Sequence, residues 1–376
     1  MLRFRSPRIL LTLTLSAALA AAATDPGIDV AGMDRSVRPG DDFFRYANGH
    51  WLETTEIPAD RSSWSAGAMV AERTDGRVAD LIREAAKAKA PAGSDTRKVG
   101  DYFTSFMDTT AIEAAGLKPI RPTLDSIAAI GNRTELAHYL GTTLRADMDA
   151  LNATSLHTSR LFGLWVAQDL DDPSRYSAFL LQGGLGLPDR SYYLDSSASM
   201  GSIRKEYERH VGAMLGLAGI AGATQKAGGI MRLETAIARA HWSREATGDV
   251  SKGNNHWPRA EFGKRAPGLD WETYFSGAKL DRPKQFVVWQ PSAFTGISAL
   301  VASEPLDVWK DWLAYHAIQS RAGVLPAKLD RESFTYLSAL TGATKQRDRW
   351  KRAVDATNDA LGFAVGKLYA ERYFPP

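Results

Sequence analysis

Seven histidines and no cysteine define the metal chemistry open to this chain of 376 residues. Without thiolates there are no disulfides, Fe–S clusters, zinc–sulfur sites or cysteine nucleophiles. A zinc hydrolase built on a helix needs two imidazoles one turn apart with a carboxylate base between them, the H-E-x-x-H pattern. His50, His138, His157, His210, His241, His256 and His316 do not supply it: none is followed by Glu, and no two are four residues apart. The nearest approximations are Glu206 with His210 and His241 with Glu245. Each pair would share one helix face but offers two ligands where zinc needs at least three, so both are expected to be solvated polar faces.

Other chemistries fare no better. No G-x-S-x-G elbow exists; Gly296-Ile-Ser298-Ala-Leu300 matches half of it and is read as a turn. Gly362-Phe-Ala-Val-Gly366-Lys367 has the wrong spacing for a phosphate loop, and its small residues are expected to let helices pack closely. Gly183-Gly-Leu-Gly186 follows a strand-like run but meets Pro188, which is incompatible with a dinucleotide fold. The run Lys345-Gln-Arg-Asp-Arg-Trp-Lys-Arg352 sets five cations around Trp350. It could bind an anion or a partner, or be a helix with Trp350 inward and the cations in water. Asn132-Arg-Thr134 and Asn152-Ala-Thr154 match the N-glycosylation pattern and are read as chance. These readings leave no catalytic, metal or cofactor-binding residue.

The elements that would hold any site follow from composition and period. Hydrophobic residues make up 44% and charged residues 24%, a globular balance with enough length for a large core. Residues 1–23 read as a signal peptide: Arg3, Arg5 and Arg8, then apolar Ile9–Leu19, then Ala21-Ala22-Ala23. Removing them takes three Arg from the 46 basic residues and no acid from the 43 acidic ones, so the mature chain is neutral. That removes the charge argument for a nucleic-acid partner, and no later run is apolar enough to span a membrane. The expected location is the periplasm or the exterior.

Residues 24–75 read as an extended, aromatic segment with no long helical period, carrying Phe43, Phe44, Tyr46, Trp51 and Trp64. From 76 to 376 helical periods dominate. Faces run through Val99, Phe103, Phe106 and Thr110; through Leu136, Tyr139, Leu140, Thr143 and Leu144, with an Asn132/Glu135 capping box; and through Ile230, Leu233, Ile237 and Ala240. A fourth follows Leu306, Trp309, Leu313 and His316, with Ser303 as N-cap and Pro305 in the first turn. The longest joins Trp350, Val354, Thr357, Leu361, Val365 and Leu368. Strand signal is confined to a hairpin, 161–168 with 176–182, and a short run at 285–290; 247–268 reads as a surface loop. The fold class is mainly α, a large multi-helix domain with a few short strands.

Several stretches together resemble the neprilysin-type zinc metallopeptidases, in that family's order and over nearly the whole mature chain. They are Gly40-Asp-Asp-Phe-Phe-Arg-Tyr-Ala-Asn-Gly-His-Trp-Leu52 with Ile57-Pro-Ala-Asp-Arg61, Val99-Gly-Asp-Tyr-Phe-Thr-Ser-Phe-Met-Asp108, Gln182-Gly-Gly-Leu-Gly-Leu-Pro-Asp-Arg-Ser-Tyr-Tyr-Leu194, Leu233-Glu-Thr-Ala-Ile-Ala-Arg-Ala-His-Trp-Ser243, and Arg349-Trp-Lys-Arg352 running to Tyr373-Phe-Pro-Pro376. Thr247-Gly-Asp249 departs from the family's usual Arg-Asp pair. The resemblance implies the N-terminal helical domain of such an enzyme, one wall of a chamber that admits peptides, with 24–75 packing on a catalytic domain. In the family, zinc polarises the scissile carbonyl and the Glu of H-E-x-x-H activates water. Those ligands lie beyond the point matching Pro376, so none carries over and no cofactor is expected on this chain. The expectation is a truncated or split endopeptidase, inactive alone and partnered by a separate catalytic domain; the alternative is an exported binding domain for peptides or a protein.

Overall fold

The computed structural model describes residues 27–149 and 156–374. The leader read over 1–23 and the sequon at Asn152 lie outside them. The chain divides into two units, Met1–Ala66 and Gly67–Pro376.

The first unit corrects the expectation of a wholly irregular segment, because Phe43–Thr54 is a helix, α1. Asp42 caps it by accepting from the Arg45 amide. Its period was invisible because only Gly49 is buried on it. The preceding loop folds back on it: the Asp34 amide donates to the Tyr46 carbonyl and the Trp51 amide to the Gly32 carbonyl. Phe43 and Phe44 stay about two-thirds exposed, at 68% and 66%.

The second unit holds the helical body. It opens with α2 (Ala66–Lys87), α3 (Asp95–Met107), α4 (Thr109–Ala115), α5 (Arg121–Ala128) and α6 (Arg133–Thr143). Val99, Phe103 and Phe106 are buried as their spacing requires, but Thr110 is exposed, because Asp108 ends α3 and caps α4. The capping box at Asn132 is present: its side chain accepts from the Glu135 amide, and Glu135 accepts from the Gly131 amide. That cap occupies the side chain of one sequon.

The hairpin follows as β1 (Phe162–Gln168) and β2 (Tyr176–Gln182). After it come α7 (Arg190–Leu194), α8 (Ala198–Leu217) and α9 (Ala223–Ala240). The stretch 247–268 is a second correction. It holds the end of α10 (Arg244–Thr247), then α11 (Val250–Gly253), strand β3 (His256–Pro258) and α12 (Phe262–Arg265). Trp257, Phe262 and Ala266 are buried there, spaced too irregularly to show a period. Next are α13 (Trp271–Gly277), β4 (Gln285–Val288), α14 (Pro291–Ser303), α15 (Leu306–Gln319), α16 (Ala327–Thr341) and α17 (Arg349–Tyr373). Ser303 ends α14 rather than capping α15, whose N-cap is Pro305. The half-elbow Gly296–Leu300 lies inside α14, not in a turn.

The sheet order is β1-β2-β4-β3, with β2 and β4 parallel and both outer pairs antiparallel. Side chains alternate across it. Phe162, Leu164, Leu180, Phe286 and Val288 enter the main core. Phe179, Leu181 and Val287 face the other way, onto Met148 and Trp289. The inner strands are thus apolar on both faces, as a parallel pair buried on both sides must be. A separate cluster joins α2, α3 and α17 through Ile82, Phe103, Phe106, Val354 and Val365. α17 is kinked at Leu361 (φ −128°, ψ 29°), one residue before Gly362.

The backbones of α6 and α13 approach closely. A Cβ on Gly141 would sit 2.1 Å from the Tyr274 carbonyl oxygen, and one on Gly277 2.3 Å from the His138 carbonyl oxygen. The small residues of α17 do the opposite of what the sequence suggested: a Cβ on Gly362 or Gly366 meets nothing within 4 Å. Two alanine substitutions should therefore differ in sign. Gly141→Ala should lower stability by about 1–3 kcal/mol through overpacking. Gly366→Ala should raise it by about 0.5–1 kcal/mol, since the helix gains a better former in open space. Urea midpoints measured side by side check this; equal shifts would contradict the packing assigned to α6 and α13.

Candidate functional site

A cavity of about 740 Å³ lies in the second unit, lined by α5, α6, the connection after α6, and α15. That volume is typical of small-molecule and peptide side-chain sites. Its back wall is Trp312 and His316, one turn apart on α15. Both are held from behind by one side chain, Glu234 of α9, which is fully buried. Glu234 Oε1 accepts from Trp312 Nε1 at 3.1 Å and from His316 Nε2 at 2.8 Å. Oε2 accepts from the hydroxyls of Tyr193 at 2.6 Å and Tyr207 at 2.9 Å, and from the Gly186 amide at 3.2 Å. Five donors converge on one carboxylate, which is what a buried anion requires. Burial, and then the Glu234 charge, push the Tyr193 and Tyr207 phenols well above the usual range. Both therefore remain donors.

Sequence reasoning missed Glu234. The signal was present: Glu234 follows Ile230 by four residues and precedes Ile237 by three, so it lies within the apolar stripe. The Gly183–Gly186 run has its explanation here as well. A Cβ on Gly186 would fall 1.8 Å from the Tyr207 hydroxyl oxygen, so only glycine lets this backbone reach the carboxylate.

The two sequence-level metal pairs are not ligand pairs. His210 is fully buried, not solvated: Nδ1 contacts Glu332 at 2.9 Å, Nε2 contacts Gln319 at 3.0 Å, and the ring stacks on Tyr336. Glu206 instead holds Arg209. His241 contacts the Gly183 carbonyl through Nε2 at 2.8 Å, while Glu245 is exposed in the first turn of α10. A three-residue group the sequence did not suggest is Asp169, Asp171 and His256. His256 Nε2 lies 3.0 Å from Asp171 and 3.9 Å from Asp169. Asp169 already accepts from the Asp171 and Asp172 amides and the Ser177 hydroxyl, so the group ties the hairpin turn to β3. It supplies a single imidazole and does not match the two-imidazole helix of a zinc hydrolase.

The basic run is consumed internally. Lys345 pairs with Asp348, Arg347 with Asp355, Lys351 with Glu72, and Arg352 with Asp330. Arg349 donates to the Phe106 carbonyl, and Trp350 lies under Arg83. Three of the pocket hydroxyls are likewise engaged with backbone. Thr142 donates to the Tyr139 carbonyl, Thr143 to that of Leu140, and Ser320 to that of Ala317. None of these three bonds to a pocket imidazole.

This helical architecture is that of a metallopeptidase N-terminal region, and the comparisons agree. Residues 39–376 match the N-terminal model of peptidase family M13. The chain belongs to peptidase family M13, of the neprilysin type. It is 23% identical to endothelin-converting enzyme 1 of Bos taurus over 92% of its own length and 46% of that protein. It is 25% identical to human endothelin-converting enzyme-like 1, over 92% of this chain and 45% of that one. Among solved structures, the Mycobacterium tuberculosis zinc metalloprotease Zmp1 in complex with an inhibitor superposes with a TM-score of 0.85 at 36% identity, covering 93% of this chain and 52% of that one. PepO of Lactobacillus rhamnosis shares the fold, with a TM-score of 0.73 at 18% identity, covering 90% of this chain and 52% of that one. The chain thus spans about half the length of the relatives it matches.

Two measurements follow from this geometry. Glu234→Gln turns an amide donor toward a ring of donors, and should cost about 3 kcal/mol or more in denaturant unfolding. A cost under about 1 kcal/mol would remove Glu234 from its structural role. The second is a pH effect. Desolvation lowers the His241 pKa to about 4 from an ordinary 6.5, against the Gly183 carbonyl and Asp189, which act upward; His157 and Arg190 act downward. A base with a depressed folded pKa takes up protons more readily unfolded, so its stabilising contribution is complete above pH 6.5 and is lost as pH falls toward 4. The loss should approach roughly 3 kcal/mol. Urea unfolding from pH 7 to 4 should show a shallower decline in His241→Gln, with a residual slope from buried His210, whose pKa is also lowered, mainly by desolvation.

Proposed function

We propose that this chain is the non-catalytic, substrate-confining part of an exported zinc metalloendopeptidase, and that it cleaves no peptide by itself. The observation that carries this is the match to the family's N-terminal model over 39–376 in a sequence with no H-E-x-x-H. The Asp169–Asp171–His256 group belongs to the hairpin turn and lies outside the cavity lining, so no bond cleavage is assigned to it. What the chain contributes is shape and polarity: a cavity that holds part of a peptide while residues from the rest of the enzyme perform hydrolysis. Support for export comes from residues 1–23. Among the described residues no helix is long and apolar enough to cross a membrane.

The second reading is a stand-alone peptide-binding domain, for which the same cavity would be the binding site. Metal analysis of the purified chain with a fluorogenic peptide library tests the non-catalytic role shared by both. The expected result is no stoichiometric zinc and no chelator-sensitive cleavage. One tightly held zinc per chain together with such cleavage would overturn it.

A further inference from the structure

The cavity carries an imbalance of charge. Arg145, Arg160 and Arg321 line it, and Asp147 is the one carboxylate among its lining residues. Asp147 is taken by Arg160 at 2.5 Å. Arg145 uses Nη1 on the Thr142 and Leu144 carbonyls, at 2.8 and 2.6 Å. Arg321 uses Nη1 on the Ala317 carbonyl at 3.0 Å and the Ser320 hydroxyl at 3.4 Å. Neither pairs with a carboxylate among the described residues. Each guanidinium has five N–H donors in a planar fork, so each keeps its Nε and Nη2 hydrogens for a ligand.

Two further observations fit. Burial raises the Tyr139 phenol above its usual range while the Arg321 charge acts the other way, so Arg321 is felt at the cavity wall. Leu313 and Trp312 give the same cavity an apolar wall against which a side chain can rest. A concave site with cations, hydroxyls and one apolar wall concentrates positive potential on whatever enters it.

We propose that this cavity is a carboxylate subsite for peptides, with Arg145 and Arg321 as its charged donors. The inference rests on the peptide-confining role given above and adds a preference to it: the peptide favoured here brings a negative charge, either its C-terminal carboxylate or an Asp or Glu side chain. A guanidinium–carboxylate fork inside a concave site should strengthen binding by about tenfold per arginine.

The test uses the full chain and four peptides of one length, each labelled with an uncharged fluorophore. One has a free C-terminus and a central Glu, one is amidated, one has Glu replaced by Gln, and one carries both changes. Anisotropy titration should show the doubly neutral peptide binding at least about tenfold more weakly than the parent, and the single change that carries the loss identifies the source of the carboxylate. Arg145→Gln and Arg321→Gln should each weaken the parent peptide by about tenfold and the doubly neutral one by less than about twofold. Because Arg321 also bonds the end of α15, Arg321→Lys serves as a second variant; it keeps the charge and should retain part of the preference. Equal binding of all four peptides, or variants that weaken all four alike, would overturn the carboxylate subsite and leave peptide confinement standing. Failure of all four to bind would overturn the confining role, and this inference with it.

Discussion

A single carboxylate with five donors organises the part of this molecule that matters most. Glu234 on α9 is joined to the β2–α7 connection through the Gly186 amide, to α7 through Tyr193, to α8 through Tyr207 and to α15 through Trp312 and His316. An ionised group withdrawn from water costs several kcal/mol unless its lone pairs are all used, and here they are. A hydrophobic residue at 234 could pack, but it could not tell one orientation of α15 from another. The carboxylate can, because Trp312 and His316 must both present N–H groups to the same oxygen. The orientation of α15 is therefore constrained by directional bonds as well as by apolar packing.

The opposite wall of the cavity is set by a different constraint. Tyr139, Thr142 and Thr143 stand on α6, whose distance from α13 is limited by Gly141 and Gly277. Two backbones in contact leave no slack for a side chain to absorb a shift. One wall is thus positioned by hydrogen-bond geometry and the other by steric closeness, and the cavity is what remains between them. Neither constraint involves a group that lines both walls, which is why the lining can carry exposed arginines without disturbing the core.

Much of the fold was legible in the sequence, and the reasons are particular. The hairpin 162–182 showed itself because its strands alternate between two buried faces, and the capping box at Asn132 because its spacing is local. The faces of α3, α9 and α15 could be read because aliphatic or aromatic residues recur at three and four. What escaped was structure without a period. α1 buries only Gly49, and the segment 247–268 buries Trp257, Phe262 and Ala266 in elements too short to repeat. Glu234 escaped for another reason: a polar residue in an apolar stripe reads as an interruption unless its partners, here from four other elements, are known. His210 was misread in the same way, since Gln319 and Glu332 are over a hundred residues away.

The chain also shows why counting charges says little about what a protein binds. Its densest basic run, 345–352, is the feature a sequence reader would assign to an anion, yet its cations are spent on acids and carbonyls of α2, α3, α16 and α17. Those bonds fasten α17 to its neighbours, so the charge there is cohesive. Arg145 and Arg321 stand alone in the sequence and draw no attention, but backbone carbonyls take only part of their donor capacity, and carbonyls do not cancel charge. A cation becomes available to a ligand when the fold places it in a concavity without a counter-ion, and that depends on three-dimensional neighbours the linear pattern does not contain. A chain whose formal net charge is only +3 can therefore still hold a strongly positive site, provided its other cations are as fully paired as those along α17.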